Sequence, residues 1–383
     1  MMRTILCVAF LVCLGHSSTI PLPPSTGPCN VRLHASELVD ASRTDPYDPK
    51  RGKRAIMVTS FTPTACGSVS SASYFPNATA TFEDEFFQAM GLALAPGTFK
   101  SFHIETQLSQ QPSSASRGGY PVVLFSPAAG MSRLVYTVLL QDIASYGFAV
   151  VSVDHPHDAN IVEFPDGRTV IGTNISTNAQ YLAALNVRVK DMSFLLDQIQ
   201  NDSAVKEIFP LSKASPNLLS LHRASIFGHS LGGATAAQTM FVDDRFAGGI
   251  NLDGQLWGSV VDKGLAKPFV LFGNSNHTQA TDPSWSKFWS KSRGWKLELK
   301  LAQSKHYTFS DFPVLVDALS ISEEARQVVQ TERTGTIGAV RAKNVITSYV
   351  TAALKYFAYG TSCDLLSGPS ASFPDVSIVA SKS

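Results

Sequence analysis

Short, unbroken runs of apolar residues recur along the middle of the chain and predict buried strands. Five of them stand out: Tyr120–Ser126, Gly147–Asp154, Ala224–Phe227, Phe246–Leu252 and Pro268–Phe272. Helical patterns separate the earlier runs, over Leu134–Tyr146 and Asn178–Asn201. Strands buried on both faces and joined by helical crossovers are typical of parallel sheets. The pattern therefore predicts the α/β class, with a mostly parallel central sheet covered by helices on both faces.

Two further strands are predicted, one on each side of this region. Ala55–Ser60 is apolar and follows Lys53-Arg54. We interpret this basic pair as a solvated loop in preference to a dibasic processing site, because a cut there would free one strand of the sheet. Trp295–Leu301 alternates apolar and charged residues, as an edge strand does.

The segment between the first strand and the apolar runs has a mixed pattern. Thr62–Thr81, with its Pro, Gly, Ser and Asn residues, predicts a long irregular loop. Phe82–Met90 follows as a short amphipathic helix. Its three phenylalanines either pack in the core, which we favour, or form part of an apolar lip over a site: Phe82, Phe86 and Phe87.

Residues 1–17 predict a secretory signal peptide, with one basic residue, Arg3, before an apolar run that is too short to cross a bilayer. A buried N-terminal strand or a short membrane anchor is the alternative. Residues 18–28 are rich in proline and small residues and predict an extended lead-in. Residues 29–383 contain no low-complexity linker, so we expect a single α/β domain there.

The composition, with 44% hydrophobic and 16% charged residues, allows a large buried core. Once Arg3 leaves with the signal peptide, basic and acidic residues balance, so nothing indicates a nucleic-acid partner. No later stretch approaches about 18 consecutive apolar residues, and we expect no transmembrane segment. The chain is therefore predicted to be secreted and extracellular.

Three cysteines remain after the signal peptide: Cys29, Cys66 and Cys363. They allow at most one internal disulfide, and all three pairings stay open. Four asparagines begin N-glycosylation motifs, which support secretion mildly: Asn77, Asn174, Asn201 and Asn276.

The candidate chemistry centres on Gly228-His229-Ser230-Leu231-Gly232, a G-x-S-x-G motif between a strand and a helix. In α/β hydrolases this spacing holds a nucleophilic serine on a strained turn. Helix N-termini point free N–H groups at the reacting centre, so the N–H of Leu231 is a candidate oxyanion donor. The second candidate is the N–H of Ala129, in the small-residue turn after the strand that ends at Ser126.

A serine needs a base and an acid that orients the base. Asp253 ends a predicted parallel strand and so lies on the same edge of the sheet as Ser230. His306 lies in the loop after Trp295–Leu301. The order serine, acid, histidine is that of the α/β hydrolases. Two alternatives stay open: His277 as the base and Asp282 as the acid.

Four polar residues crowd the end of one strand and loosely resemble a metal site: Asp154, His155, His157 and Asp158. We favour a polar rim beside the active site, and we expect no metal or organic cofactor. His229 is interpreted as structural support within the turn.

Taken together, Phe125–Phe312 resembles the platelet-activating factor acetylhydrolases of the secreted plasma type and their fungal homologues, within the α/β hydrolase superfamily. The resemblance is carried by the motif around Ser230, by Asp244-Arg245-Phe246 through Asp253-Gly254, and by His306 with Phe309, Asp311 and Phe312. It implies a calcium-independent serine esterase, with Asp253 as the acid. The implied substrates are short or oxidised sn-2 acyl esters of glycerophospholipids, with transient contact to lipid surfaces.

The sequence departs from the plasma-type pattern at Pro127-Ala128, where those enzymes have His-Gly. A serine-proline turn is more like that of bacterial polyester hydrolases and cutinases. The alternative function is therefore a secreted cutinase-like or polyester hydrolase-like enzyme, or a general carboxylesterase. A hydrolase-fold binding protein that has lost catalysis is disfavoured, because all three triad residue types are present.

Overall fold

The computed structural model describes residues 19–65, 67–89, 92, 94–107, 118–213 and 217–382. The strands are β1 Ile20–Pro21, β2 Asn30–Thr44, β3 Lys53–Thr64, β4 Val69–Ser73, β5 Phe102–Gln107, β6 Tyr120–Ser126, β7 Ala149–Asp154, β8 Ile161–Glu163, β9 Thr169–Ile171, β10 Leu219–His229, β11 Phe246–Leu252, β12 Phe269–Gly273, β13 Lys296–Leu301 and β14 Val376–Lys382. The α-helices are α1 Asn77–Ala89, α2 Thr137–Ser145, α3 Asn178–Gln200, α4 Val205–Ile208, α5 Leu231–Val242, α6 Val260–Lys263, α7 Pro283–Lys291, α8 Phe312–Ala318, α9 Glu323–Val329 and α10 Ala339–Tyr359.

The central sheet has nine strands in the order β14-β13-β12-β11-β10-β6-β7-β3-β2. The strands from β13 to β7 in this order are parallel, whereas β3, β2 and β14 are antiparallel to their neighbours. The predicted mostly parallel sheet is therefore confirmed. The carboxyl ends of its parallel strands meet at one edge, where polar residues end β6 and β7 and Asp253 follows β11.

Successive residues of each buried strand pack into hydrophobic cores on opposite faces of the sheet. Along β6, Val123 and Phe125 pack on one face with helices α2 and α10, while Val122 and Leu124 pack on the other with α3 and α5. Because both faces are covered, these strands are apolar at every position.

The prediction that Trp295–Leu301 forms an edge strand is wrong. β13 lies between β12 and β14, and Lys296 and Glu298 are both buried. Each buried charge has partners: the Lys296 ammonium donates to the carbonyls of Trp289 and Ser292, and Glu298 accepts from the backbone N–H of Gln279 at 2.8 Å. The alternation here reflects buried polar side chains that are hydrogen-bonded.

The interpretation of Lys53-Arg54 as a solvated loop is also wrong. Both residues belong to β3, and Arg54 is only 1% exposed. Its guanidinium donates to Asp191 at 2.7 Å and to Asp45 at 2.8 Å. An arginine held in this way is inaccessible to a processing protease in the folded chain.

The stretch predicted as an irregular loop contains the end of β3, all of β4 and the first turn of α1. Helix α1 begins at Asn77, where the N–H of Thr79 donates to Glu163 at 2.8 Å, and not at Phe82. Among the three phenylalanines, Phe87 is buried in the core, as favoured, whereas Phe82 is half-buried and Phe86 is exposed.

The predicted signal peptide lies outside the described residues, and the boundaries of the domain stay a prediction. Within the lead-in, Ile20–Pro21 pairs with β5 and Leu22 is buried. Cys29 and Cys363 are not bonded to each other, which removes one pairing; Cys66 lies outside the described residues. In the part of the chain that the structure describes, no helix combines the length and the apolar character needed to cross a bilayer.

Candidate active site

Ser230 stands at the junction of β10 and α5, in the centre of the sheet. Its backbone has φ 57° and ψ −124°, a conformation that L-residues rarely adopt and that stores strain. The Ser230 N–H donates to the carbonyl of Leu252 on the neighbouring strand β11 at 2.8 Å, which holds the turn in this shape. The predicted strand-to-helix turn around Ser230 is confirmed.

The glycines of the motif are required by close backbone contacts. A Cβ on Gly232 would lie 1.9 Å from the carbonyl oxygen of Ser126, and one on Gly228 would lie 2.3 Å from the backbone of Gly232. Any side chain at either position would push α5 away from the end of β6. The G-x-S-x-G spacing therefore follows from the packing of β6, β10 and α5.

The carboxylate of Asp253, at the end of β11, is buried and contacts His306. The distance between Asp253 Oδ2 and His306 Nδ1 is 2.6 Å. The backbone and side-chain amides of Asn274 each donate to Asp253 at 2.8 Å. Burial alone would raise the pKa of Asp253, but hydrogen bonds from His277 and His306 hold it below its ordinary value. The carboxylate is therefore ionised at neutral pH.

The two alternatives, His277 and Asp282, belong to the same network as Asp253. His277 places Nδ1 3.0 Å from Asp253 Oδ1 and Nε2 2.9 Å from Asp282 Oδ2. Burial lowers the pKa of His277, but its bonds to Asp253 and Asp282 outweigh burial and raise the pKa to about 9. Because both ring nitrogens face carboxylates, His277 has no nitrogen left to act as a base. The geometry favours His306 and Asp253.

His229 is fully buried next to the motif serine, and its Nδ1 lies 2.9 Å from the hydroxyl of Tyr136. Burial, with a contribution from nearby His306, lowers the pKa of His229 well below its ordinary value, so the ring is neutral. Ligand atoms of His229, Asp253 and His306 lie within 4.8 Å of one another, close enough for a metal ion. Each Asp253 oxygen already accepts two hydrogen bonds, so this donor set fits a proton-transfer network better than a metal site.

The turn at residues 127–130, which contains Ala129, is held from below by Arg188 of α3. The buried guanidinium donates to the carbonyls of Pro127 at 2.6 Å and Ala128 at 3.1 Å. It also pairs with Asp158 at 2.6 Å, whose carboxylate accepts from the N–H of Gly130 at 3.2 Å.

Sequence reasoning missed Arg188, although a signal exists. Arg188 lies on the apolar stripe of α3 between Leu185 and Met192, and an arginine on such a stripe needs a buried partner. The Ala128 N–H donates to the Tyr136 hydroxyl at 3.1 Å, and the half-buried Ala129 follows it in the turn.

The prediction of a polar rim at the end of β7 is wrong, because three of the four residues are buried in ion pairs or hydrogen bonds. Their partners are Arg133 for Asp154, Asp191 for His155 and Arg188 for Asp158. His155 also contacts the Ser126 hydroxyl at 3.0 Å. These atoms support the sheet edge and the 127–130 turn.

A cavity of about 380 Å³ opens above Ser230. It is lined by Ser230, Leu231, Asp253 and His306, and also by Asn178, Tyr181, Gln255, Trp257, Asn274 and His277. The rings of Tyr181 and Trp257 stack with centroids 5.6 Å apart. The three predicted triad residues thus share one solvent-accessible site.

Comparisons with known proteins find relatives that are named as esterases. A protein of Arthroderma benhamiae named "Probable 1-alkyl-2-acetylglycerophosphocholine esterase" is 33% identical over 97% of this chain and 98% of its own length. The platelet-activating factor acetylhydrolase of Cavia porcellus is 27% identical over 62% of this chain and 61% of its own. A ferulic acid esterase from Streptomyces cinnamoneus superposes with a TM-score of 0.79 and 29% identity, covering 95% of this chain and all of the esterase.

The likeness to the esterase structure confirms the α/β hydrolase-like fold, and the named relatives show that the chain is an esterase. A sequence model of the family described as "Platelet-activating factor acetylhydrolase, isoform II" matches residues 81–166 and 185–335, which is more than half of the chain. The chain therefore belongs to the platelet-activating factor acetylhydrolase, isoform II, family.

Proposed function

We propose that Ser230, Asp253 and His306 form the catalytic triad of a serine esterase. The contact of 2.6 Å between Asp253 and His306, in the same cavity as the strained Ser230, is the observation that carries this proposal. The carboxylate accepts the Nδ1 proton of His306, so the imidazole keeps Nε2 unprotonated and able to act as a base.

The proposed mechanism proceeds through an acyl-enzyme. His306 takes the Ser230 proton as Oγ attacks the ester carbonyl, and then returns it to the leaving alcohol. The N–H groups of Leu231 and Ala129 stabilise the oxyanion, each contributing about 3 kcal/mol to lowering the barrier. Water repeats the cycle on the acyl-enzyme. Each of these steps uses only protein groups and water.

We propose that the substrates are platelet-activating factor-like glycerophospholipids that carry short or oxidised sn-2 acyl groups. The name of the Arthroderma relative supports this substrate class. The cavity volume of about 380 Å³ lies at the low end of the roughly 300–1,000 Å³ usual for small-molecule sites, which favours a short acyl chain.

A second candidate is a general carboxylesterase that accepts aromatic acyl groups. The stacked Tyr181 and Trp257 in the cavity favour it, because flat apolar rings bind other flat rings. The structural likeness to a ferulic acid esterase supports the same candidate.

The test compares hydrolysis of three substrate types by the purified protein, with calcium chelated: glycerophosphocholines with sn-2 chains from acetyl to palmitoyl, methyl ferulate, and an insoluble polyester. Activity that falls steeply beyond short chains and is lost in Ser230→Ala supports the phospholipid proposal. Preference for methyl ferulate supports the second candidate, and polyester hydrolysis without phospholipid activity contradicts both. A fully active Ser230→Ala variant would refute the triad.

We also propose that the protein is secreted, glycosylated and in transient contact with lipid surfaces. All four asparagines that begin glycosylation motifs are exposed: Asn77, Asn174, Asn201 and Asn276. N-terminal sequencing of protein from the culture medium should give a first residue close to Ser18, and removal of N-glycans should lower the apparent mass. Retention of the intact protein in the cell would contradict secretion.

A further inference from the structure

A second histidine contacts the carboxylate that faces His306. Asp253 Oδ1 accepts from His277, and Asp253 Oδ2 accepts from His306, so the two rings share one carboxylate from opposite sides. Building on the proposed triad, we propose that His277, backed by Asp282, is a positioning residue that fixes the orientation of Asp253 and compensates its negative charge.

The hydrogen bonds to Asp253 divide evenly between its two oxygens. The backbone N–H of Asn274 and the ring of His277 lie 2.8 Å and 3.0 Å from Oδ1. The Asn274 side chain and His306 lie 2.8 Å and 2.6 Å from Oδ2. Without His277, Oδ1 keeps only the backbone contact, and the carboxylate can rotate away from His306. Such rotation lowers the fraction of molecules in which His306 is aligned with Ser230.

The ring of His277 is itself held rigidly. Its Nε2 lies 2.9 Å from Asp282 Oδ2, and the ring stacks on Trp285 with centroids 4.1 Å apart. Asp282 is fixed in turn because its Oδ1 accepts from the N–H of Ser284, at the start of α7, at 2.7 Å. A chain of contacts thus links the N-terminus of α7 to the acid at the end of β11.

Both nitrogens of His277 face carboxylate oxygens, and only the imidazolium form can donate to both. The charged groups in contact with the ring are Asp253 and Asp282. Glu298 lies further away and binds Gln279, and His306 contacts the other oxygen of Asp253. The face of the Trp285 ring favours a cation as well. A raised pKa of about 9 for His277 agrees with this geometry. At neutral pH, His277 therefore places one positive charge against Asp253.

This charge has a consequence for the proposed base. The proposed base faces the same carboxylate, and an uncompensated negative charge favours the protonated form of an imidazole beside it. Removing the charge of His277 therefore moves the acid limb of the kcat/KM profile to higher pH. A residue that only supports the fold would lower the amount of active protein without moving this limb.

Two variants separate the orientation of Asp253 by His277 from the compensation of its negative charge. His277→Gln keeps a donor for Asp253 without the charge, and His277→Phe keeps the stacking on Trp285 but removes donor and charge. We expect both to shift the acid limb upward by about half a pH unit or more. We expect His277→Phe to lower kcat roughly 10- to 100-fold with KM little changed, and His277→Gln to retain more of kcat. His222→Phe, at an exposed histidine, is the matched control and should behave like the unchanged protein.

The assay measures hydrolysis of p-nitrophenyl acetate between pH 4.5 and 10, with circular dichroism to confirm folding. In parallel, NMR of ¹³C-labelled histidine follows the titration of His277 in the Ser230→Ala background, which tests the network independently of catalysis. The titration midpoint should lie near 9 and fall in Asp282→Asn. An acid limb that stays in place in His277→Phe, or a His277 midpoint below pH 7, would overturn the proposal. Full activity of Ser230→Ala with the expected titration would refute the proposed triad but not the charge network.

Discussion

Replacing Arg188 by methionine should disturb both the stability of the protein and the 127–130 turn. Arg188 is 1% exposed and donates five hydrogen bonds to oxygen atoms of the turn, of Ser126 and of Asp158. Methionine fills a similar volume but donates none of them. The variant therefore leaves the buried Asp158 carboxylate without its counter-charge and the carbonyls of the turn without a donor.

The expected loss of stability follows from the burial of both Arg188 and Asp158. Removing one member of a buried ion pair costs about 3–5 kcal/mol of unfolding free energy, because the remaining charge stays desolvated. Neutralising Asp158 in the same chain removes that penalty, so Arg188→Met/Asp158→Asn should be more stable than Arg188→Met alone. If the turn moves and the Ala129 N–H is lost to the oxyanion, kcat should fall by up to about 10²–10³.

The assay combines urea unfolding with kcat for p-nitrophenyl acetate, measured where each variant is folded. The matched control is Arg168→Met, because Arg168 is an exposed arginine paired with Glu37 and Asp166, and such pairs contribute less than about 1 kcal/mol. Loss of one oxyanion donor lowers kcat by about 10²–10³. If kcat for Arg188→Met stays within about twofold of the unchanged protein, the link between Arg188 and the turn is refuted. Strictly additive stability losses in the double variant would refute the coupling between Arg188 and Asp158.

Three further predictions follow from the contacts described above. Gly232→Ala should abolish esterase activity, because the added Cβ would lie 1.9 Å from the carbonyl oxygen of Ser126. Gly338→Ala is the control and should keep its activity, because the added Cβ would meet no atom within 4 Å. Equal activities of the two variants would contradict this prediction. Phe87→Ala should cost about 3–5 kcal/mol of unfolding free energy in urea, and the exposed Phe86→Ala much less. The pKa of His277 is about 9 in the folded chain, above its ordinary 6.5. His277→Gln should therefore lower the free energy of unfolding by about 3 kcal/mol below pH 6.5, and this loss should vanish as the pH rises through 9. A loss of unfolding free energy that grows with pH would contradict the predicted direction.

The strands of the parallel sheet were predictable because burial on both faces imposes apolar residues at every position. Tyr120–Ser126 is identical in prediction and structure, and Phe246–Leu252 ends, as predicted, immediately before Asp253. The candidate triad was predictable for a related reason, since chain order and strand ends place its three members at one edge of the sheet. Local pattern and global fold agree at these positions.

The edges of the sheet were not predictable, because long-range antiparallel pairing decides them. β2 (Asn30–Thr44) has no long apolar run and forms by pairing with β3 along nearly its whole length. β13 (Lys296–Leu301) has the alternation of an edge strand, yet the C-terminal strand β14 covers it. Nothing near β13 in the sequence signals a partner that lies about 80 residues later.

Buried charges were the second source of error. Arg54, Arg188 and His277 each bind carboxylates that the sequence pattern does not identify. Arg54, for example, binds an aspartate 137 residues away. Local patterns do not identify such partners, so His277 and Asp253 stood as separate candidates although they belong to one network.

Two buried charge systems flank Ser230 and divide the support of the site between them. On one side, Asp158 and Arg188 fix the 127–130 turn; on the other, Asp282 and His277 fix Asp253. Buried ion pairs contribute little net stability, so their value here lies in holding dipoles and charges in place before the substrate arrives. Neither Arg188 nor Asp282 lines the cavity, and changes at these two residues should therefore lower kcat more than they raise KM.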